Sequence, residues 1–352
     1  MNAFARRLGL DFPLIQAPMA GVQAHALALA VSEAGALGSL PAAMLAPAAL
    51  RAELQAMRTQ TRRPWALNFF CHAEAPPDDA ADAAWRDALR PYYDELGADA
   101  SKITAASRAP FGDDAAALVE EFRPPVVSFH FGLPAAPLLE RVRRSGAFVI
   151  SSATTVDEAR WLEAHGADAV IAQGLEAGGH RGHFLSDDLS RQLGSFALLP
   201  QVRRAVRVPV VACGGIADAA GVAAAMALGA DGVQVGTAYL LCPEATTSAV
   251  HRAALQSEAA AHTAVTNVFT GRAARSIVNR AVRELGPLRA APHPAFPRAA
   301  AAWGPLRAAA EARASGDFSP LWSGQNNSGC RAVPAAEQTR ALCRGFEAGT
   351  DR

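Results

Sequence analysis

The sequence predicts an α/β protein: a (β/α)8 TIM barrel with a small C-terminal cap or lid and a helical insertion after the third strand. Three observations lead there. Between residues 12 and 236, eight short apolar runs alternate with amphipathic Ala/Leu stretches, the rhythm of a parallel sheet buried on both faces. Eight such units fill roughly the ~250 residues that a closed barrel needs. Glycine or polar residues also recur at the carboxyl end of one run after another, where such a barrel keeps its chemistry. The alternative is an open doubly wound sheet. Against it, the first run is followed by no GxGxxG turn, and no GxxxxGK[ST] loop occurs.

Taken in order, the strands are expected at 13–18, 36–40, 64–70, 126–131, 147–152, 169–173, 209–213 and 232–235. The helices between them are expected at 25–34, 47–59, 114–122, 136–145, 156–164, 196–205 and 219–228. Gly35 and Gly146 stand where C-caps should end two of these helices. Residues 73–100 break the rhythm as an extra, largely helical insertion. Residues 265–328 are rich in Pro, Gly and Arg without strand–helix alternation and read as a cap over the barrel mouth. A last helix at 334–346 should return to the wall as the eighth. The expected division is therefore a barrel over 1–264, a cap and substrate region over 265–328, and a returning terminal segment over 329–352.

Composition narrows the function. Of the 352 residues 51% are apolar, enough for a large core, and 33 basic side chains balance 33 acidic ones. That balance argues against a general binder of nucleic acid or membrane surfaces. Lys102 is the only lysine, and nothing around it suggests amine catalysis. Cys71, Cys213, Cys242, Cys330 and Cys343 form no CxxC pair, which reads as reduced thiols of a cytoplasmic protein. Residues 1–11 lack the apolar core of a signal peptide, and no run approaches the ~18 apolar residues of a membrane span.

Chemistry is expected on the loops after the strands. After the sixth, the run Gln173-Gly174-Leu175-Glu176-Ala177-Gly178-Gly179-His180-Arg181-Gly182 sets one imidazole on a glycine backbone. Glycine lets a chain approach a ligand closely, and histidine moves protons near neutral pH. After the seventh and eighth strands, Gly214-Gly215 and Gly236-Thr237 precede helices. Backbone amides at such turns bind anions, and a phosphate held by these two loops recurs in barrels. Other strands end in Ala17-Pro18-Met19, Asn68, His130, Ser151-Ser152 and Gln234. His130 reads equally as a hydrogen-bonded structural histidine or a functional one. His183 reads as a surface loop residue, Cys213 as barrel packing, and Glu176 as a cap for the loop or a partner of Arg181. Arg272 and Arg275 read as anion ligands or anchors of the cap. Cys71-His72 has no third ligand, so no metal site is expected.

The runs QAPMAG, LNFFCH, VSFHFGLP, QGLEAGGHRG and PVVACGGIAD…LGADGVQVGT, with FTGRAARSIVNR and LWSGQ downstream, together resemble the nitronate monooxygenase family, once called 2-nitropropane dioxygenases. The resemblance spans roughly residues 13–325. Enoyl-acyl-carrier-protein reductases that use FMN share the barrel and a similar His loop. The resemblance implies FMN at the barrel mouth and no metal. The residues it places at FMN are Ala17, Pro18, Met19, Asn68, Gln173, Gly178, Gly179, Gly214, Gly215, Gln234, Val235, Gly236 and Thr237. It makes His180 the catalytic residue, a base toward neutral nitroalkanes or an orienting group for a nitronate. The implied reaction oxidises an alkyl nitronate, such as propionate 3-nitronate, with O2 to a carbonyl compound and nitrite through a flavin semiquinone.

The expected partners are thus a small-molecule nitronate and O2, with no nucleic acid and no membrane, for a monomer or dimer. One departure stands out: QAPMAG continues as Val22-Gln23-Ala24-His25, where the family often has a Gly/Ser/Thr-Pro stretch. Two other functions are weighed: an NAD(P)H-dependent FMN reductase of quinones or enoyl thioesters, and a non-catalytic barrel binding a phosphate ligand.

Overall fold

The computed structural model describes residues 2–104 and 108–347. Eight parallel strands form the central sheet: β1 (Leu14–Gln16), β2 (Gly38–Pro41), β3 (Trp65–Phe70), β4 (Val126–His130), β5 (Phe148–Ala153), β6 (Ala169–Gln173), β8 (Val210–Cys213) and β9 (Gly232–Val235). A two-residue strand, β7 (Gly179–His180), lies between β6 and β8 in the chain. Each barrel strand pairs in parallel with its neighbour, and β9 pairs with β1. The remaining gap closes where Leu37 N–H donates to Leu14 O and Gln16 N–H to Leu37 O, both at 2.9 Å. The barrel expected from the alternating pattern is the barrel found.

The wall helices are α2 (His25–Glu33), α3 (Pro47–Gln60), α5 (Asp113–Phe122), α6 (Ala136–Arg144), α7 (Val156–Ala164), α8 (Ser195–Ala205) and α9 (Ala219–Ala227). The eighth place is filled by α13 (Ala335–Cys343), which packs against both α2 and α9. Residues 348–352 of the expected terminal segment lie outside the described residues.

Strand alternation splits the apolar residues into two layers. Leu14, Val170, Val210, Val233 and Val235 point outward onto Val31, Leu162, Val202 and Leu342 of the helices. Ile15, Ala66, Ile150, Ile171 and Val211 point into the barrel. A helix that the basic N-terminus did not foretell, α1 (Ala3–Leu8), seats Phe4 and Leu8 in that inner cluster and plugs the barrel at the amino ends of the strands. The carboxyl ends are left open.

The cap is more regular than its composition suggests. It contains the antiparallel pair β10 (Thr263–Thr266) and β11 (Ala274–Ile277), then α11 (Arg280–Leu285) and α12 (Trp303–Glu311), with α10 (Ala249–Leu255) just before it. The expected 264/265 division falls inside β10. The insertion helix α4 (Asp79–Leu96) packs Trp85, Leu89 and Tyr93 against Val268, Trp303, Leu306 and Phe318, so insertion and cap share one core. Trp85 Nε1 donates to Ala299 O and Trp303 Nε1 to Val268 O, which satisfies both buried indoles. No helix of the described residues is long and apolar enough to cross a membrane.

Candidate active site

At the open end of the barrel lies a cavity open to solvent. Ala17, Pro18, Met19, Asn68, Gln173, Gly178, Gly179, His180, Gly214, Gly215, Gln234, Gly236 and Thr237 all line it. Val235 does not. Alternation turns Gln234 inward and Val235 outward into the helix-facing core, where its carbonyl accepts from Ala17 N–H at 2.8 Å. Val235 therefore contributes no side chain to the cavity.

The His loop is built by hydrogen bonds that its glycines permit. Arg181 is fully buried and donates to Gly174 O and Gln173 O at 2.9 Å and to Gln192 Oε1 at 2.8 Å. Burial lowers its pKa to about 10, still cationic at neutral pH. Glu176 does not pair with Arg181. Its carboxylate accepts from Ser195 N–H and Oγ–H at 2.8–2.9 Å and so caps the start of α8. A Cβ on Gly174 would lie 2.0 Å from Ser195 Oγ, and one on Gly178 would lie 2.5 Å from Gly324 N. Both glycines serve the close approach of other protein groups.

His180 hangs from this frame. Its carbonyl accepts from Gln173 Nε2 at 3.0 Å and from His130 Nε2 at 3.2 Å, while Gln173 Oε1 accepts from Gly182 N–H at 2.8 Å. The amide of Gln173 is thus engaged in bracing the loop as well as lining the cavity. His130 Nδ1 meets Ser152 Oγ at 3.0 Å, and burial lowers the ring to about 3. It is neutral and doubly bonded, and it also lines the cavity. The His180 ring sits among Phe70, Phe131, Phe296 and Trp322, with centroids 5.2–6.2 Å away. Burial first, then the positive charge of Arg108 and Arg272, holds its pKa well below the usual 6.5. The resting imidazole is neutral and able to accept a proton.

The turns after β8 and β9 offer donors. Gly214 and Gly215 take φ of 110° and 76°, conformations that favour glycine. Asp218 already caps α9 through Gly221 N–H, so the helix itself is spoken for. Among the described residues, however, the amides of Gly215, Ile216, Gly236 and Thr237 reach no protein acceptor, and all four residues line the cavity. Thr237 Oγ1 accepts from Gly324 N–H at 3.0 Å and keeps its own proton to donate. Asn68 donates from Nδ2 to Ser128 Oγ at 2.9 Å, leaving Oδ1 available.

Two further expectations change. His183, expected on the surface, is 4% exposed and faces Asp187 at 3.3 Å, with its carbonyl held by Arg272 of the cap. Arg272 and Arg275 are anchors: Arg275 donates to Leu175 O at 3.0 Å, and Arg272 bonds His183 O while lying 4.3 Å from the Phe131 ring centroid. In the unusual stretch after QAPMAG, Gln23 is a brace. Its Oε1 accepts from Met19 N–H and Gln16 Nε2 at 2.8 Å, and its Nε2 donates to Ser39 O at 2.7 Å. Arg108, Trp322, Gly324 and Asn326 line the cavity without having been singled out in the sequence. Of these, Trp322 and Gly324 stood in a motif, LWSGQ. Among the described residues no group of three metal-ligating side chains occurs.

Fold and cavity define the class: a (β/α)8 enzyme working at the carboxyl ends of its strands. Within that class, the chain belongs to the nitronate monooxygenase family, whose family model matches residues 3–345. The nitronate monooxygenase of Pseudomonas aeruginosa is 42% identical over 343 residues, covering 97% of this chain and 98% of that protein. The nitronate monooxygenase of Paraburkholderia phytofirmans is likewise 42% identical, over 96% of this chain and 93% of that one. Among solved structures, a nitroalkane oxidase from Streptomyces ansochromogenes aligns with TM-score 0.88 at 38% identity, covering 98% of both chains. FabK from Thermotoga maritima aligns with TM-score 0.72 at 26% identity, over 99% of this chain and 96% of that one. The protein is an oxidoreductase of a flavin-dependent family, and the non-catalytic reading falls away.

Proposed function

We propose that the protein is an FMN-dependent nitronate monooxygenase that takes a small alkyl nitronate or nitroalkane and O2 to a carbonyl compound and nitrite, in the cytoplasm. The observation that carries this reading is the pairing of a neutral, framed His180 with unspent backbone amides across one cavity. The residues fit FMN. Gly215, Ile216, Gly236 and Thr237 would hold its phosphate, as helix and turn amides hold anions. The Ala17–Met19 backbone, braced by Gln23, would back the ring system, and Asn68 and Gln234 would meet its polar edge.

Bound flavin supplies the electron acceptor and the partner for O2; the protein supplies binding, orientation and electrostatics. His180 takes the proton from the carbon beside a nitro group, and the aromatic box around it keeps water from that transfer. Arg108, half-buried, lines the same wall, and its buried Nη1 lacks a hydrogen bond. It would pair with the negative charge that the nitronate carries. The likeness to FabK supports a second reading, a reductase fed by NADH or NADPH.

Anaerobic mixing of the purified flavoprotein with propyl nitronate, NADH or NADPH tests both. Bleaching of the flavin by propyl nitronate alone is expected. Rapid bleaching by a nicotinamide and none by the nitronate would reject the proposal in favour of the reductase.

A further inference from the structure

We propose that Thr270 is a positioning residue that fixes the tautomer of His180, so that Nδ1 is the atom that takes the substrate proton. The inference rests on His180 being the base, as proposed above. Thr270 is 1% exposed and sits in the turn joining β10 to β11. Its Oγ1 lies 3.0 Å from His180 Nε2 and 3.3 Å from Arg272 O. A carbonyl oxygen can only accept, so the hydroxyl proton goes to Arg272, and the Oγ1 lone pair is left to accept from Nε2–H. Hydrogens are assigned from such networks, and this is the assignment that makes both contacts hydrogen bonds at once.

A neutral imidazole with its proton on Nε2 carries its lone pair on Nδ1. Among the described residues Nδ1 has no hydrogen-bond partner, while the ring lines the cavity. Arg108 and Arg272 disfavour the imidazolium, and only a neutral ring has a tautomer to fix. The backbone is pinned as well, since His180 pairs with Ala274 of β11. One hairpin of the cap therefore holds both the strand and the far edge of the ring, leaving the other edge to the substrate. In the reaction the carbon's proton moves to Nδ1, its electron pair stays on the substrate as the nitronate, and Nε2–H keeps donating to Thr270.

The test combines nitrogen-15 spectra of histidine-labelled protein with rates on two substrates. His180 is assigned by the signal lost in His180→Asn. The wild-type protein is expected to show a protonated Nε2 and an unprotonated Nδ1, retained in Thr270→Ser. Thr270→Val should lose that signature. Its kcat/KM on a neutral nitroalkane should fall by about tenfold or more, short of the ~10²–10⁴ of losing a base outright, with a smaller loss on the preformed nitronate. A wild-type signal protonated at Nδ1 would overturn the proposal, and so would a Thr270→Val protein with unchanged signature and substrate ratio. The wild-type spectrum decides even if Thr270→Val fails to fold. Should His180 not be the base, His180→Asn would slow both substrates equally, whatever tautomer the spectrum shows.

Discussion

His180 reaches the cavity as a neutral imidazole with its main chain held from two sides, so its ring is unprotonated and oriented at neutral pH. That neutrality has named sources in burial, Arg108 and Arg272. Replacing His180 by Asn keeps a polar side chain of similar reach and removes the basic nitrogen. Turnover of a neutral nitroalkane should fall by about 10²–10⁴-fold, while turnover of the preformed nitronate, which needs no proton removed, should fall less. Steady-state kinetics on both substrates checks this, and equal losses would remove the base assignment. His180 was legible in the sequence because a glycine loop after a strand end announces it locally. Thr270 and Arg108 were not. Thr270 meets His180 across 90 residues of chain, and no local pattern marks such a pair.

The loop after β6 is held from every side, by elements far apart in sequence. Arg181 and Glu176 tie it down from within, Arg275 reaches it from the cap, and residues 323–324 run against Gly178. A methyl group on Gly178 meets backbone, which cannot rotate away. Gly178→Ala should cost about 1–3 kcal/mol by overpacking and weaken flavin retention, since the displaced strand carries His180. Thermal melts with and without added FMN measure both effects; an unchanged melting temperature with full flavin occupancy would contradict the geometry. The barrel strands and wall helices were readable because their periodicity is local. The β7–β11 pairing was not, since two residues of strand leave no period to see.

At the scale of the whole chain, eight strands and their order followed from repetition, while the shared core of insertion and cap did not. Trp85 and Trp303 lie more than 200 residues apart and meet only in the folded state. Folding also buries titratable groups whose partners lie far along the chain. Five of the nine histidines are shifted down: His72, His183 and His251 to about 4, His130 to about 3, and His180 well below 6.5, in each case chiefly by burial. In the unfolded chain the same side chains take a proton near 6.5. Between about pH 4 and pH 6.5 the unfolded state therefore binds more protons than the folded one, and stability rises with pH across that window. Above about 6.5 both states are neutral at these sites and the full stability is present; it is lost as pH falls toward the folded values. The melting temperature should drop steadily from about pH 6.5 to pH 4. Calorimetry in buffers of different ionisation enthalpy should show protons taken up on unfolding at about pH 5. A melting temperature flat over that range, or unfolding without proton uptake, would mean that these histidines titrate in the native protein much as they do in the unfolded chain, and that burial does not hold them neutral at pH 5.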